Sequence, residues 1–429
     1  MKRSRLPSDP ESRRAFLWKS FTGLGLLAIG PSLFSGCNDD EGGDSSCTAK
    51  PGDGKPYPTT SNIANLGPLQ PPDENGLMLP AGFKSKILAR SGEVVACTSY
   101  VWHGAPDGGA TFPTEDGGWI YVSNAEVPVP NQGGAGALRF DAAGNVIDAY
   151  RILKGTLINC AGGPTPWGTW ISCEEHGQGH CWECDPKGEV EARELPALGT
   201  FQHEAVAIDP ETLYVYLTED RPDGGFYRFR PDASTIPGGR TDFSAGVLEI
   251  ATLTEVDGDT EIVWAEVRDP NPADPESGDK STATRNQVED AARFNGGEGI
   301  FFHDGIVYFT TKGDNRVWAL EVSSNILTVL YDPETHPNPI LRGVDNVTVS
   351  PAGDVIVAED GDDLQIVAIT PSGDTIPLVQ ITGQEGTEIT GPAFDPSHTR
   401  LYFSSQRGQG NGNFFNSGIT YCVEGPFFV

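Results

Sequence analysis

Six short strand-like segments recur along the sequence after residue 100, and this repeat constrains the fold more than any other feature of the chain. Each segment follows a turn containing Asp, Gly or Pro, is apolar and aromatic over most of its length, and ends in polar side chains. The segments are 119–126, 170–175, 213–220, 306–314, 355–360 and 401–406. Most successive segments start about 43 to 51 residues apart, the length of a β-propeller blade, and one interval is about 93.

The repeat predicts an all-β fold, a six-bladed β-propeller. The 53 glycines and 34 prolines fit a turn-rich chain. Turn sequences also recur, as FDAAGN at 140–145, SPAGD at 350–354 and TPSGD at 370–374. A pair of β-sandwiches or two smaller β domains is the alternative. In a propeller, equivalent strand ends from different blades converge near the central channel, so acids far apart in the sequence can share one site.

The first 37 residues are typical of an export signal. Their apolar stretch, 21–30, is too short to span a bilayer comfortably. Arg13 and Arg14 resemble the pair of a twin-arginine signal, although a general secretory signal with two arginines is the alternative. The sequence FSGC resembles a lipobox and makes Cys37 the predicted lipidation site.

The remaining chain divides into a predicted flexible tether, 38–75, and a predicted propeller domain, 76–429. The first part of the tether is rich in Gly, Asp, Ser and Pro. We therefore expect a lipoprotein that is exported folded by the twin-arginine route to the periplasm or cell envelope. Because that route carries folded proteins, often with a cofactor already inserted, the signal is also a hint of a metal centre.

The chain is strongly acidic, with 29 Lys and Arg against 60 Asp and Glu and a formal net charge of −31. A phosphate backbone or an anionic membrane surface would be repelled, so we expect no nucleic-acid partner and membrane contact only through the lipid anchor. Most of the acids are expected to be solvated, and about a dozen of them to bind Ca²⁺ or another hard cation. We expect a monomer.

The sequence NCAGGPTPWGTWISCEE, residues 159–175, concentrates the chemistry. It ends an apolar strand on two adjacent carboxylates, Glu174 and Glu175, which repel each other unless a cation lies beside them. It begins with Cys160 in a Gly-rich turn, and a thiolate also needs a positive neighbour. The alternatives are two solvated edge acids and a cysteine that is a small buried apolar residue or a disulfide partner.

Further acids fall at blade-equivalent positions elsewhere in the chain. Each alone is more often structural, but together they form a set of hard oxygen ligands suited to Ca²⁺, and a few carboxylates with one thiolate could hold iron. These residues are Glu204 after His203, Glu298, Asp345 with Asn346, Glu359 with Asp360, and Glu388.

The sequence HGQGHCWEC contains His176, His180, Cys181 and Cys184. Its spacing is compatible with zinc, but in an exported protein a local disulfide, or one from this pair to another cysteine, is the favoured interpretation. A G-x-S-x-G nucleophile elbow and a P-loop lysine pattern are both absent from the sequence. Serine-triad hydrolysis and nucleotide-driven work therefore have no support.

Four motifs resemble the PhoX-type alkaline phosphatase family from about residue 80 to the C-terminus. They are NCAGGPTPWGTWISCEE, HEAVAIDP with YLTED and GGFYRFRP, GGEGIFF with VYFTTKGDNRVWAL, and VDNVTVSPAGDVIVAEDG. The resemblance implies a twin-arginine-exported six-bladed propeller with a centre of iron (Fe³⁺) and calcium (Ca²⁺) ions. It implies hydrolysis of small phosphate monoesters by a metal-activated oxygen nucleophile.

The resemblance also implies roles for individual residues. Cys160 resembles the thiolate that bridges the irons, and Glu174 and Glu204 resemble carboxylates shared between iron and calcium. Asn124 resembles the asparagine of an Asn-His-Glu segment, and Asp345 stands at the glutamate of an Arg-Pro-Glu segment. The predicted metal ligands are Asn124, Cys160, Glu174, Glu175, Glu204, Glu298, Asp345, Asn346 and Glu359.

The chain departs from the family pattern at the phosphate-contacting arginine. Gly343 stands at that position and Arg342 is one place away, so Arg342 is the predicted catalytic residue that neutralises the transition state. Two other functions stay open: a lactonase-like hydrolase with a single calcium, which needs no thiolate, and a non-catalytic, calcium-stabilised binding propeller.

Overall fold

The structure, a computed structural model, describes residues 59–232, 239–273, 283–361, 363–408 and 413–429. The expected signal, Cys37 and most of the expected tether lie outside these residues. Within them, no helix is long and apolar enough to cross a membrane. The helical elements described are short 3₁₀ turns at Ile63–Asn65, Pro196–Leu198, Thr284–Asn286 and Lys312–Asp314.

The described residues form 26 β-strands. They are β1 (Leu77–Met78), β2 (Lys84–Arg90), β3 (Pro106–Pro113), β4 (Trp119–Ala125), β5 (Gly133–Phe140), β6 (Val146–Thr156), β7 (Asn159–Pro164), β8 (Trp170–Glu174), β9 (Cys181–Cys184), β10 (Arg193–Glu194), β11 (His203–Ile208), β12 (Val215–Glu219), β13 (Phe226–Pro231), β14 (Gly246–Val256), β15 (Asp259–Glu266), β16 (Gly297–His303), β17 (Ile306–Thr311), β18 (Arg316–Glu321), β19 (Ile326–Tyr331), β20 (Val344–Val349), β21 (Val355–Glu359), β22 (Gln365–Ile369), β23 (Thr375–Ile381), β24 (Ile389–Phe394), β25 (Arg400–Ser405) and β26 (Ile419–Glu424).

Antiparallel pairing arranges these strands into six consecutive units. Units 1 to 5 are β3–β6, β7–β10, β11–β14, β16–β19 and β20–β23, and unit 6 is β24–β26 with β2. Strand β2 pairs with β26, so the N-terminal part of the domain completes the last unit. Strand β15 follows β14 in a long hairpin and pairs with β19, which joins units 3 and 4 into one sheet. This hairpin accounts for part of the long interval in the sequence repeat.

The first strands of the six units form a closed ring. Strand β3 contacts β7, β7 contacts β11, β11 contacts β16, β16 contacts β20, β20 contacts β24, and β24 returns to β3. The all-β propeller expected from the repeat is therefore confirmed, and the sandwich alternative is not.

Apolar side chains fill the spaces between neighbouring units. Most strands are buried on both faces of their sheet, and such strands carry apolar residues on both faces. Phe226 of unit 3 stacks on Phe309 of unit 4 with ring centroids 4.4 Å apart. Trp119 Nε1 of unit 1 donates to Tyr402 Oη of unit 6 at 3.0 Å. A fully buried Phe contributes roughly 1.5–3 kcal/mol, so this packing holds the strand ends at the axis in fixed positions.

Candidate metal centre

Each first strand carries a register shift near its start, where the ladder to the second strand is interrupted. Such a bulge bends the strand and redirects a side chain. In units 1 to 5 the second residue of the strand stands at this point. These residues are Asp107, Cys160, Glu204, Glu298 and Asp345. In unit 6 the interruption begins one residue later, after Thr390, which still pairs with Ser404.

Each second strand ends beside the bulge of its unit. The residue that directly follows the second strand is polar in every unit. These residues are Glu126, Glu175, Asp220, Lys312, Asp360 and Gln406. Four acids, one lysine and one amide thus follow equivalent strands.

Glycines allow the first strands of neighbouring units to approach closely at this level. A Cβ at Gly108 would lie 2.5 Å from Ala161 Cα, and one at Gly163 would lie 1.8 Å from Val206 O. A side chain at either position would push neighbouring units apart. The Gly-rich part of the NCAGGP sequence is therefore explained by packing around the axis.

Nine side chains at the axis form what we call the central cluster. Their ligand atoms fall into four groups, and within each group they lie within 4.8 Å of one another. Cys160, Glu204 and Asp345 each belong to two groups and link the four into a chain. The groups are Asp107–Glu126–Cys160, Cys160–Glu175–Glu204, Glu204–Glu298–Asp345 and Asp345–Asp360–Glu388.

Burial and mutual repulsion make the central cluster unfavourable without added positive charge. Burial, together with neighbouring carboxylates, raises the pKa of Glu126 and of Glu388 to about 8. Burial raises the pKa of Asp345 to about 6, although Lys312 opposes the shift. Burial also raises the pKa of the Cys160 thiol, and nearby carboxylates raise it further. A cation would reverse these effects, because it stabilises the ionised forms.

The donor set fits metal ions. Glu204 is fully buried and its Oε2 has no hydrogen-bond partner among the described residues, whereas its Oε1 lies 3.4 Å from Cys160 Sγ. An unsatisfied buried carboxylate oxygen is costly unless a cation binds it. Carboxylates beside one thiolate suit both a hard cation and iron.

Two basic side chains of the chain itself reach the central cluster. Lys312 Nζ lies 2.8 Å from Glu298 Oε1, 3.3 Å from Asp360 Oδ2 and 3.6 Å from Asp345 Oδ2. Arg407 forms an ion pair with Glu388. Both side chains are about one-third exposed, so they can also face a ligand that enters from solvent.

Glu174 lies outside the central cluster, and its neighbour Glu175 lies within it. Glu174 Oε1 accepts the Leu157 N–H at 2.9 Å, and Oε2 accepts the N–H of His180 at 3.2 Å and of Trp182 Nε1 at 3.1 Å. Burial alone would raise the pKa of Glu174, but His176 and the N–H groups of Trp182 and Leu157 hold it below its ordinary value. Glu174 therefore stabilises the loops around its own unit.

Glu359 shows the same arrangement. Its two oxygens accept the backbone N–H groups of Arg342 and Gln365, each at 2.8 Å, while the next residue, Asp360, joins the central cluster. Unit 3 repeats the pattern, because Glu219 binds Gly225 N–H and Arg285 and Asp220 follows it. In each pair, the first acid bonds back to its own unit.

The two predicted asparagine ligands are occupied by hydrogen bonds within the protein. Asn124 Nδ2 donates to the carbonyl oxygens of Cys160 and Ala161, and its Oδ1 accepts from Trp170 and Ser172. Asn346 Nδ2 donates to Asp345 Oδ1 at 2.8 Å, and its Oδ1 accepts the Gly391 N–H at 2.7 Å. Both amides position backbone and side chains around the centre.

Arg342 does not reach the central cluster. Its exposed side chain lines a surface groove with Ile340, Gln365 and Pro377. Gly343 has a φ of 55°, and a Cβ there would lie 2.3 Å from Asp360 O. This turn has no room for a side chain at 343 and directs Arg342 outward.

The structure thus brings together five of the predicted metal ligands: Cys160, Glu175, Glu204, Glu298 and Asp345. Asp107, Glu126 and Lys312 were not predicted as site residues, and Asp360 and Glu388 were recognised as acids of the strand ends but not among the predicted ligands. The signal that identifies most of them is the residue directly after each second strand. The residues of the alternative zinc site do not form a group of metal ligands. None of His176, His180, Cys181 and Cys184 belongs to a ligand group among the described residues.

Comparison with known proteins agrees with this architecture. A model of the PhoX alkaline phosphatase family matches residues 132–181 and 176–408, more than half of the chain. The structure of Pseudomonas fluorescens PhoX in complex with vanadate, a transition-state analogue, superposes with a TM-score of 0.64 at 16% identity, covering 86% of this chain and 98% of that one. At this identity the match shows a shared fold.

Two further structures match less well and carry no argument. A gluconolactonase from Xanthomonas campestris is 11% identical, with a TM-score of 0.44 and coverage of 88% and 97%. A protein of unknown function from Bacteroides thetaiotaomicron is 8% identical, with a TM-score of 0.45 and coverage of 84% of each chain. No curated protein matches the sequence.

Proposed function

The chain belongs to the PhoX alkaline phosphatase family and is a phosphatase, and we propose that it hydrolyses small phosphate monoesters at the central cluster with calcium and iron ions bound there. One observation carries the proposal. Eight carboxylates and one thiol, supplied by all six units, lie in linked groups at the axis with far too little positive charge to balance them.

The groups differ in the ions they suit. Cys160 belongs to the two groups formed with Asp107 and Glu126 and with Glu175 and Glu204, and a thiolate among carboxylates suits iron. The two groups without sulfur offer only oxygen ligands, which calcium prefers. Ions bound here would act as Lewis acids on the phosphoryl oxygens and lower the pKa of water.

The protein's own residues bind and orient the ester in this proposal. Lys312 and Arg407 are basic side chains that touch the central cluster within the described part of the chain. We assign to them the neutralisation of phosphate oxygens that was predicted for Arg342 from the sequence. Their carboxylate partners hold them in position, so little ordering is required when substrate binds. The carboxylates hold ions and these bases rather than transferring protons.

Localisation and assembly stay part of the proposal. The twin-arginine-like sequence and Cys37 support folded export and a lipid anchor in the periplasm or envelope. The strongly negative charge supports a monomer that meets the membrane only through that anchor.

Metal analysis of protein exported by its own pathway tests the proposal, together with turnover of a chromogenic phosphate monoester. We expect iron and calcium in the purified protein and hydrolysis that stops after chelation. A single calcium with lactone hydrolysis that is unaffected by Cys160→Ser would favour the lactonase-like alternative. Bound calcium, no iron and no turnover of any ester would favour a binding propeller.

A further inference from the structure

Two thiols face each other across a hairpin outside the central cluster. Cys173 on β8 and Cys181 on β9 are direct partners in the antiparallel register. Their sulfur atoms lie 3.6 Å apart and both side chains are fully buried. Nothing in the proposed chemistry uses them.

The register places this pair at a site that accommodates a covalent bond. The adjacent pair, Glu174 and His180, is joined by a backbone hydrogen bond of 3.0 Å from Glu174 N–H to His180 O. Because hydrogen-bonded and non-hydrogen-bonded pairs alternate, Cys173 and Cys181 form a non-hydrogen-bonded pair, whose Cα atoms are about 4.5 Å apart. This separation lies within the range found for disulfides, about 4.4–6.8 Å.

The other cysteines of the region are poorly placed to compete. Cys184 packs in a different apolar cluster, with Trp170 and Ala110, on the opposite face of the hairpin from Cys173 and Cys181. Cys160 lies among the carboxylates of the central cluster. Among the described cysteines, Cys97 is disulfide-bonded, so the fold is compatible with an oxidising environment.

We propose that Cys173 and Cys181 form a cross-strand disulfide when the chain meets a thiol-oxidising disulfide, such as that of an oxidoreductase or oxidised glutathione. The thiolate of one cysteine attacks the oxidant's disulfide, forms a mixed disulfide and releases one oxidant thiol. The second thiolate then attacks the first cysteine's sulfur and releases the other oxidant thiol. The two cysteines lose two protons and two electrons, and the oxidant's disulfide gains the electrons.

The disulfide would brace the strand ends that present ligands to the central cluster. Cys181 Sγ lies 3.4 Å from His203 Nδ1, and His203 directly precedes Glu204. Cys173 lies two residues before Glu175. The bond therefore ties β9 to β8, the strand directly followed by Glu175, and fixes the position of Cys181 beside His203 of β11. Because both sulfurs are buried, oxidant and reductant reach them only when the hairpin opens locally, so the bond forms slowly in the folded protein and then resists reductant.

The test is peptide mapping of the full-length chain exported to a bacterial periplasm. The protein is unfolded without reductant in N-ethylmaleimide and cleaved after glutamate, which separates Cys173, Cys181 and Cys184 because Glu175 and Glu183 lie between them. We expect the Cys173 and Cys181 peptides to be joined, lighter by two hydrogens than their sum, and Cys184 to carry maleimide. Maleimide on both Cys173 and Cys181, or a link from either to another cysteine, would overturn the proposal.

Thermal unfolding gives a second readout. Protein that is reduced while unfolded and refolded in dithiothreitol should have a lower Tm than oxidised protein, and the decrease for the wild-type chain should exceed that for the Cys173→Ala/Cys181→Ala variant by about 3 °C, because a short loop loses its cross-link. This difference removes the contribution of the Cys97 disulfide, which both proteins keep. Cys184→Ala is the matched control and should respond like wild type. Equal responses of wild type and the double variant would overturn the proposal.

Discussion

The adjacent acids Glu174 and Glu175 allow a paired test of the site, because one chemical change is made at neighbouring positions with opposite expected effects. In the structure Glu174 binds three N–H donors away from the axis, and Glu175 belongs to the central cluster. We predict that Glu174→Gln lowers stability and leaves the metal content unchanged. We predict that Glu175→Gln lowers the metal content and leaves the stability of the metal-free protein unchanged or higher.

The magnitudes follow from the contacts. A glutamine at 174 must turn its NH₂ group toward either Leu157 N–H or the donors of His180 and Trp182, so at least one hydrogen bond to a charged group is lost. Such a bond is worth about 1.5–3 kcal/mol, and the donor left buried adds to the cost. We therefore expect a loss of about 2–3 kcal/mol in the free energy of unfolding.

The penalty at Glu174 should also depend on pH. The pKa of its carboxyl is held below the ordinary value in the folded state, so the unfolded chain takes up its proton first as pH falls. The stabilisation is present above the ordinary pKa and is lost as pH falls through the folded pKa. The difference between wild type and Glu174→Gln should therefore shrink in acid.

At Glu175 the balance is reversed. Burial and the nearby Glu126 and Asp220 raise the pKa of its carboxyl, and its Oε1 accepts one hydrogen bond from Gln202 at 2.9 Å. A neutral glutamine removes repulsion from the metal-free site, but it also removes a charged ligand. We expect metal affinity to fall by at least about tenfold, since even changes beside a ligand cost 10–100-fold.

The assays are urea unfolding of chelated protein and calcium and iron content after dialysis against a defined free-metal concentration. The reasoning fails if Glu174→Gln loses metal at wild-type stability, or if Glu175→Gln retains wild-type metal content and activity. Either result would mean that the side chains at the end of β8 point in the opposite directions, with Glu174 toward the axis and Glu175 away from it.

Three further predictions concern the same site. Cys160→Ser should remove iron and lower the phosphatase activity at least about tenfold while calcium stays bound, because a hydroxyl is a poor substitute for a thiolate. Measurement of metal content and activity on the same protein checks this, and retained iron would contradict it. Lys312→Met should raise the KM for a phosphate monoester about tenfold, because one charge-assisted contact is lost. Arg342→Ala should change the KM by less than about twofold, because Arg342 lies in an outward groove. Steady-state kinetics measure both values, and a large effect of Arg342→Ala with a small effect of Lys312→Met would refute the assignment. In chelated protein, the carboxyls of Glu126 and Glu388 have a pKa of about 8 in the folded state but about 4.5 in the unfolded chain. Between these values the unfolded chain binds fewer protons than the folded protein, so the Tm should fall as pH rises from about 4.5 to 8. A Tm that stays constant or rises over this range would contradict the placement of these two acids.

Much of the architecture was accessible from the sequence because strand spacing is a local property that repeats. The six segments predicted the second strands of six units, and apolar runs ending in polar groups predicted where side chains would converge. Cys160, Glu204, Glu298 and Asp345 lie outside these six segments, and they could be selected because each stands in a polar or Gly-containing sequence next to an apolar stretch.

The choice between adjacent residues could not be made in the same way. Glu174 and Glu175, or Glu359 and Asp360, are equally polar and follow equally apolar strands, while neighbouring residues of a strand point to opposite sides. Lys312 was missed because an argument that looks for ligands passes over a cation. Asp107 was missed because its strand, PDGGATFP, lacks the apolar pattern of the others.

The sequence by itself determined that this chain is an all-β repeat with a thiol and several acids at its strand ends. Only the tertiary structure decided which of them face the axis. The physical reason is that a side chain's direction at a strand end depends on the bulge in its own ladder and on the neighbouring unit pressed against it, and both arise from contacts between segments about fifty residues apart.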